Sequence, residues 1–187
     1  MKKKTTPPNT IPGQLSELDK QAIVELASQV PKNGCIVEIG SLYGLSSWHW
    51  AKSADPTVTV HCIDPWEHAA WMDKVKAEFD APDLSPEVFA ENVKDCPNIT
   101  QHKGYSPKDF LDWSEPVDLF FDDAVHTNPI FLENLQHWGK LVKSGGIVSG
   151  HDFDPNHYDI MTEVSRLAKR WKTELHVLGA VWWIKKP

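Results

Sequence analysis

The chain has 187 residues, 41% of them hydrophobic and 24% charged, a balance that can bury one sizeable core and excludes a disordered or fibrous chain. Its formal charge of -7 leaves no global basic surface to neutralise phosphates, so neither nucleic acid nor an anionic membrane is expected as a partner. Cys35, Cys62 and Cys96 are odd in number and form no CxxC pair, which argues against a disulfide framework and for a reducing, cytoplasmic setting.

Residues 1–15 open with Lys2-Lys3-Lys4 and pass through Pro7-Pro8 without the apolar stretch of a signal peptide; they are expected to form a flexible arm ahead of one domain over 16–187. No apolar run approaches the ~20 residues that a bilayer span needs. Ser16-Glu17-Leu18-Asp19 has the form of a capping box with Asp in the Glu position, and the apolar residues after it predict a first helix over about 16–29. Cys35 to Ile39 is short, mostly apolar and β-branched, the pattern of a buried parallel strand. The turn Gly40 to Gly44 then leads into a second helix, and Val58 to Ile63 predicts a second strand ending at Asp64-Pro65.

An insertion over 66–96 carries one amphipathic stretch around Trp71 to Phe79 and another opened by Ser85-Pro86. Asn98 to His102 and Val117 to Phe121 predict the third and fourth strands, with a short helix near 107–112 between them. A helix from Asn128 to Val142 is expected to break at Ser144-Gly145-Gly146, ahead of a fifth strand, Ile147 to Ser149, and a helix from Tyr158 to Trp171. Glu174 to Leu178 and Val181 to Lys185 flank Gly179-Ala180, a two-residue hairpin turn with glycine first. Five strand and helix units closed by this hairpin predict an α/β fold: a doubly wound, mostly parallel, Rossmann-like seven-stranded sheet with an antiparallel C-terminal pair.

Ligands of such sheets bind beyond the carboxyl ends of the strands, where strand order reverses. Polar residues gather at those ends: Glu38 to Gly44, Asp64 to Trp66, Gly104 to Ser106, Asp122 to His126 and Gly150 to Phe153. A dinucleotide fingerprint needs a second glycine where Leu42 stands, and no GxxxxGK[ST] occurs, so pyrophosphate and P-loop ligands are disfavoured. Asp64, 24 residues beyond Gly40, is placed to accept both hydroxyls of a ribose. The alternatives are an ordinary strand-to-helix turn at Gly40 and Gly44 and a plain cap at Asp64.

The runs Glu38 to Ser46, Ile63-Asp64-Pro65-Trp66, Gly104-Tyr105-Ser106, Asp118 to His126 and Gly145 to Asp152 together resemble, in order and spacing, the class I S-adenosylmethionine-dependent methyltransferases, closest to the macrolide-sugar O-methyltransferase-like branch. The resemblance implies that Gly40, Ser41, Gly44 and Ser46 border the methionine part of S-adenosylmethionine, with Glu38 near its ammonium group. It implies that Asp64 holds the ribose, Ser106 the adenine edge, and Trp66 the adenine face, plain packing being the alternative for Trp66. The related D-x-x-H places Asp123 and His126 at the end of the fourth strand. Asp122 then falls where the family has an apolar residue, which leaves open which carboxylate faces the site. Where metal-dependent relatives carry an acidic pair this chain has His151-Asp152, so Asp123, His151 and Asp152 are candidate ligands for Mg²⁺ or another divalent cation, against a metal-free Asp-His network.

Methyl transfer from a sulfonium is an in-line displacement, and a neutral alcohol must lose its proton to attack. His126, with Asp123 beside it, is the candidate base, and a metal bound to the hydroxyl would assist by lowering the alcohol's pKa as well. The expected activity is methyl transfer to a hydroxyl of a small molecule, a sugar or other natural product, by a soluble protein that can form homo-oligomers. A metal-dependent hydrolase using Asp123, His126, His151 and Asp152, and a non-catalytic S-adenosylmethionine-binding protein, are the alternatives. The arm and insertion are expected either to cover the substrate, through Trp66, Trp71, Met72 and Phe79, or to pack on the sheet. The other histidines, His61, His102 and His157 among them, show no convergent spacing and are expected in surface or satisfied polar roles.

Overall fold

The computed structural model describes residues 11–187; most of the expected flexible arm lies outside them. The elements follow in the order α1 (Glu17–Ala27), β1 (Cys35–Ile39), α2 (Leu45–Ser53), β2 (Thr59–Asp64), α3 (Met72–Phe79), α4 (Pro86–Asn92), β3 (Ile99–Lys103), β4 (Val117–Asp122), α5 (Ile130–Leu141), β5 (Val142–Gly150), α6 (Tyr158–Trp171), β6 (His176–Leu178) and β7 (Val181–Lys185). A single 3₁₀ turn, Lys108–Phe110, stands where the short helix was expected. The strands form one seven-stranded sheet in the order β3-β2-β1-β4-β5-β7-β6, parallel except for β7, which runs antiparallel to both neighbours.

Every residue of β1 and of β4 is buried, as befits central strands covered on both faces. Alternation divides them: Ile36, Leu119 and Phe121 enter a core with α1, α2 and α4, whereas Val37, Ile39 and Phe120 enter a second core with α5 and α6. Trp138 of α5 stacks on Phe120 with ring centres 5.8 Å apart. Of the adjacent pair in β7, Trp182 is fully buried, while Trp183 points to the other face and stacks on His176.

The sequence places the fifth strand after Gly146, but β5 begins at Val142. Ser144-Gly145-Gly146 is an irregularity inside the strand rather than a break before it: Gly145 has φ 78°, and the β4 register shifts between Val117 and Leu119. Helix α5 ends at Leu141 because Val142 already turns extended and pairs with Val117.

The chain builds outward through β2 and β3, then returns to place β4 against the free side of β1. The crevice of a doubly wound sheet therefore opens beyond Ile39 and Asp122. Backbone bonds extend the ladder past the strand ends: Gly40 N–H donates to Ile63, Asp123 N–H to Ile39 and His151 N–H to Asp122. These bonds hold three rim residues in the register of the sheet.

Candidate active site

The rim residues surround a cavity of about 920 Å³. The turn after β1 supplies Gly40 and Ser41, and the first turn of α2 supplies Ser46; β2 ends in Asp64; the turn after β3 supplies Ser106; β4 and β5 are followed by Asp123, His126, His151 and Asp152. Leu15 and its three predecessors, together with Trp71 and Met72 from the insertion, also line it. Phe79, expected as part of this cover, does not.

Asp64 organises the cofactor end. One of its oxygens accepts from Leu42 N–H at 2.9 Å and the other from Trp66 N–H at 2.6 Å, fixing Leu42 and Trp66 at positive φ. A carboxylate oxygen accepts about two hydrogen bonds, so each retains a lone pair for a diol. Burial raises the Asp64 carboxyl pKa, against the pull of the two backbone donors. Ser106 donates to Asn134 and accepts from the Trp138 indole, which leaves one lone pair to accept from an exocyclic amine.

Three expectations are corrected by burial. Trp66 is 3% exposed, absent from the cavity wall and packed on Phe89 with ring centres 4.9 Å apart, its indole N–H donated to Leu42; a positive φ turns it into the core, so it cannot cover an adenine face. Glu38 lies beneath the wall among Ser41, Ser46, Ser47 and Cys62, and burial raises its pKa and favours the uncharged acid, which removes it from direct contact with an ammonium group. Gly44 faces Phe89 and Val93 of the α4 region instead of the cavity. Gly40 does line the cavity, but its lack of a side chain is dictated by the protein itself. At φ 83°, a Cβ there would stand 2.1 Å from the Asp123 carbonyl oxygen.

Of the two adjacent carboxylates, Asp123 faces the cavity. Asp122 is 3% exposed and caps Ala124 N–H, with burial lifting its pKa to about 7. Asp123 is also raised well above the carboxylate range, by burial and by the acidic groups around it, against the pull of His151. His126 Nε2 stands 3.1 Å from Asp152 Oδ2 and 4.0 Å from Asp123. Burial lowers its pKa despite Asp152, which favours the neutral ring. Its neighbour His157 packs edge-on at 4.8 Å and has the satisfied polar role expected of it, pairing with Asp154 at 3.0 Å.

His151 has carboxylates on both ring nitrogens: Nδ1 lies 3.3 Å from Asp152 and 3.7 Å from Asp123, and Nε2 lies 3.4 Å from Asp19. Burial opposes its charge, but Asp152, Asp19 and Asp123 raise the pKa to about 10. Two flanking carboxylates call for two N–H donors, the imidazolium form. Asp123, His151 and Asp152 do converge as the sequence predicts, with one donor atom of each mutually within 4.8 Å. However, an imidazole in place of a carboxylate, with carboxylates on both of its ring nitrogens, makes a mixed donor set that suits Mg²⁺ less well than an all-oxygen one.

Asp19 is the residue that sequence reasoning missed. It was legible only as the helix cap it also is: its carboxylate accepts from Ser16 N–H and, 161 residues away, from Ala180 N–H.

A search of curated proteins finds no match. Residues 37–153 match a family described as a methyltransferase domain. The chain belongs to that family. Solved methyltransferases share its fold: the O-methyltransferase NovP superposes with a TM-score of 0.67 at 16% identity, over 89% of this chain and 78% of that one. The O-methyltransferase TomG from Streptomyces achromogenes, solved with S-adenosylmethionine, gives 0.62 at 20% identity over 96% and 83%. An rRNA methylase from Streptococcus thermophilus gives 0.64 at 13% identity over 93% and 99%. Family and fold make this chain a methyltransferase-domain protein with the Rossmann-like methyltransferase fold, and no helix among the described residues is long and apolar enough to cross a membrane.

Proposed function

We propose that this methyltransferase moves the methyl group of S-adenosylmethionine to a hydroxyl of a small, uncharged acceptor, without a metal, and that His126 takes the hydroxyl proton. The observation that carries the reading is that Gly40 and Asp64 share one cavity with Asp123, His126 and Asp152. A cofactor held at one end can therefore present its methyl at the other.

In this reading Asp64 accepts the ribose hydroxyls through its spare lone pairs, Ser106 meets the adenine edge, and Gly40, Ser41 and Ser46 border the methionine chain. The bound cofactor supplies an electrophilic methyl. Asp64, Glu67, Asp123 and Asp152 line the cavity, and no lysine or arginine does so among the described residues. That lining suits a cofactor bearing sulfonium and ammonium charges. The charged His151 ring offsets part of that acidity, and the balance favours a neutral acceptor over one bearing phosphate, RNA and nucleotide sugars included. Apolar surface from Leu15, Trp71, Met72 and Val125 favours an acceptor with a hydrophobic body.

Neutral His126 accepts the proton as the oxygen attacks, and Asp152 then stabilises the imidazolium. Calorimetry with S-adenosylhomocysteine, followed by transfer assays on a panel of neutral alcohols and phenols with and without a chelator, tests the reading. Nucleoside binding and chelator-insensitive transfer are expected. No nucleoside binding would overturn the reading, and turnover abolished by the chelator would overturn its metal-free form.

A further inference from the structure

The register of the sheet gathers a second cluster, unrelated to the cavity. Cys35 opens β1, His61 lies in the first half of β2, and Glu115 stands just ahead of β4, so all three sit toward the amino ends of the strands, away from the cavity. One atom of each, the Cys35 sulfur, a His61 ring nitrogen and a Glu115 carboxylate oxygen, lies within 4.8 Å of the others. Cys35 is 3% exposed and His61 8%. His61 Nε2 has no hydrogen-bond partner, although the Glu115 carboxylate is 3.5 Å away. The other ring nitrogen, Nδ1, pairs with His102 Nε2 at 2.9 Å, and Trp113 meets the ring edge-on at 4.9 Å. With Nδ1–H donated to His102, the ε nitrogen keeps its lone pair and the ring cannot turn away, an outer bond of the kind that orients metal-bound histidines.

We propose that Cys35, His61 and Glu115 form a binding site for a borderline-soft divalent cation, Zn²⁺ first among them. One thiolate, one imidazole and one carboxylate make a mixed S, N, O set that suits Zn²⁺ or Co²⁺ and not Mg²⁺ or Ca²⁺, with a fourth position left for water. Entry is through Glu115, whose side chain is half exposed. Burial and the nearby Glu115 and Asp118 carboxylates, against the opposing charge of Lys143 on Asp118, push the Cys35 thiol up to about 12, surroundings that resist a bare thiolate but, with carboxylates prevailing, favour a dication. On binding, the S–H bond breaks, a sulfur–metal bond forms and the proton leaves to solvent, so affinity rises with pH. The ion ties β1, β2 and the segment before β4 together, and its role is to stabilise the fold.

The test is titration of metal-free protein with Co²⁺. One equivalent is expected to bind with a thiolate-to-cobalt charge-transfer band that Zn²⁺ abolishes by displacement, and Zn²⁺ alone is expected to raise Tm. Cys35→Ala loses the band. Glu115→Gln, a surface change that keeps the fold, weakens Co²⁺ binding at least tenfold, the lower end of what losing even an outer partner costs. Asp152→Asn, in the cavity, keeps the band. No sulfur band in the parent protein, a band that survives Cys35→Ala or disappears in Asp152→Asn, or parental affinity in Glu115→Gln would each overturn the proposal.

Discussion

Replacing His126 by alanine separates proton removal from cofactor binding. A positioned base contributes about 10²–10⁴-fold, or about 3–5 kcal/mol at 1.36 kcal/mol per decade. The short approach of Asp152, 3.1 Å from Nε2, places the expected loss in kcat in the upper half of that range, because the carboxylate stabilises the charge that appears on the ring. Burial holds the His126 pKa below its ordinary 6.5, and the base works deprotonated. In the parent protein kcat/KM should therefore rise with pH through a midpoint below 6.5 and level off above it; in the variant that acidic limb should vanish. The side chain is 34% exposed, so truncation leaves little cavity and folding should hardly change. Affinity for S-adenosylhomocysteine should stay within about twofold, since Asp64 and Ser106 are untouched. The assay is transfer of labelled methyl across a pH series, with calorimetry alongside. Parental turnover in the variant, or an unchanged acidic limb, would remove His126 from the chemistry.

Asp64→Ala should weaken S-adenosylhomocysteine at least a hundredfold by calorimetry, as two charge-assisted hydrogen bonds of about 1.5–3 kcal/mol each are lost; it should also lower Tm, because the Leu42 and Trp66 amides lose their acceptor. Gly40→Ala forces a side chain onto the Asp123 carbonyl at positive φ and should destabilise by about 2–5 kcal/mol, read by urea unfolding, whatever ligand is present. His151 has a folded pKa near 10 against an ordinary 6.5, so its contribution to stability is complete below pH 6.5 and is lost as pH rises through about 10. Tm should fall across that window, and His151→Gln should flatten the fall; equal slopes in the two proteins would contradict the imidazolium.

Most of the fold was legible because hydrophobic period and turn chemistry agree locally: α6 and β7 have the expected bounds, and the hairpin turn has its glycine at positive φ. The start of β5 was not, because Gly145 and Gly146 carry the same signal in a strand irregularity as in a loop, and only pairing with β4 distinguishes the two. In the site, the expected strand ends bring Gly40, Asp64, Asp123 and His126 to the lining of one cavity. Trp66 misled because its neighbours Pro65 and Glu67 face the cavity while its own positive φ turns it away. The approach of Asp19 to His151, and that of His61 to Cys35, arise from the return of the hairpin and from strand register, which no local spacing encodes.

The grip of one carboxylate on both Ala180 and the His151 ring has a practical corollary for dissection. Neither Asp19 nor β7 falls inside the shared span 37–153. A fragment trimmed to those borders would forfeit this clasp and leave an unbalanced cluster beneath the acceptor, and chimeras assembled from such modules should work only when the leading helix and the closing hairpin are transplanted as a pair.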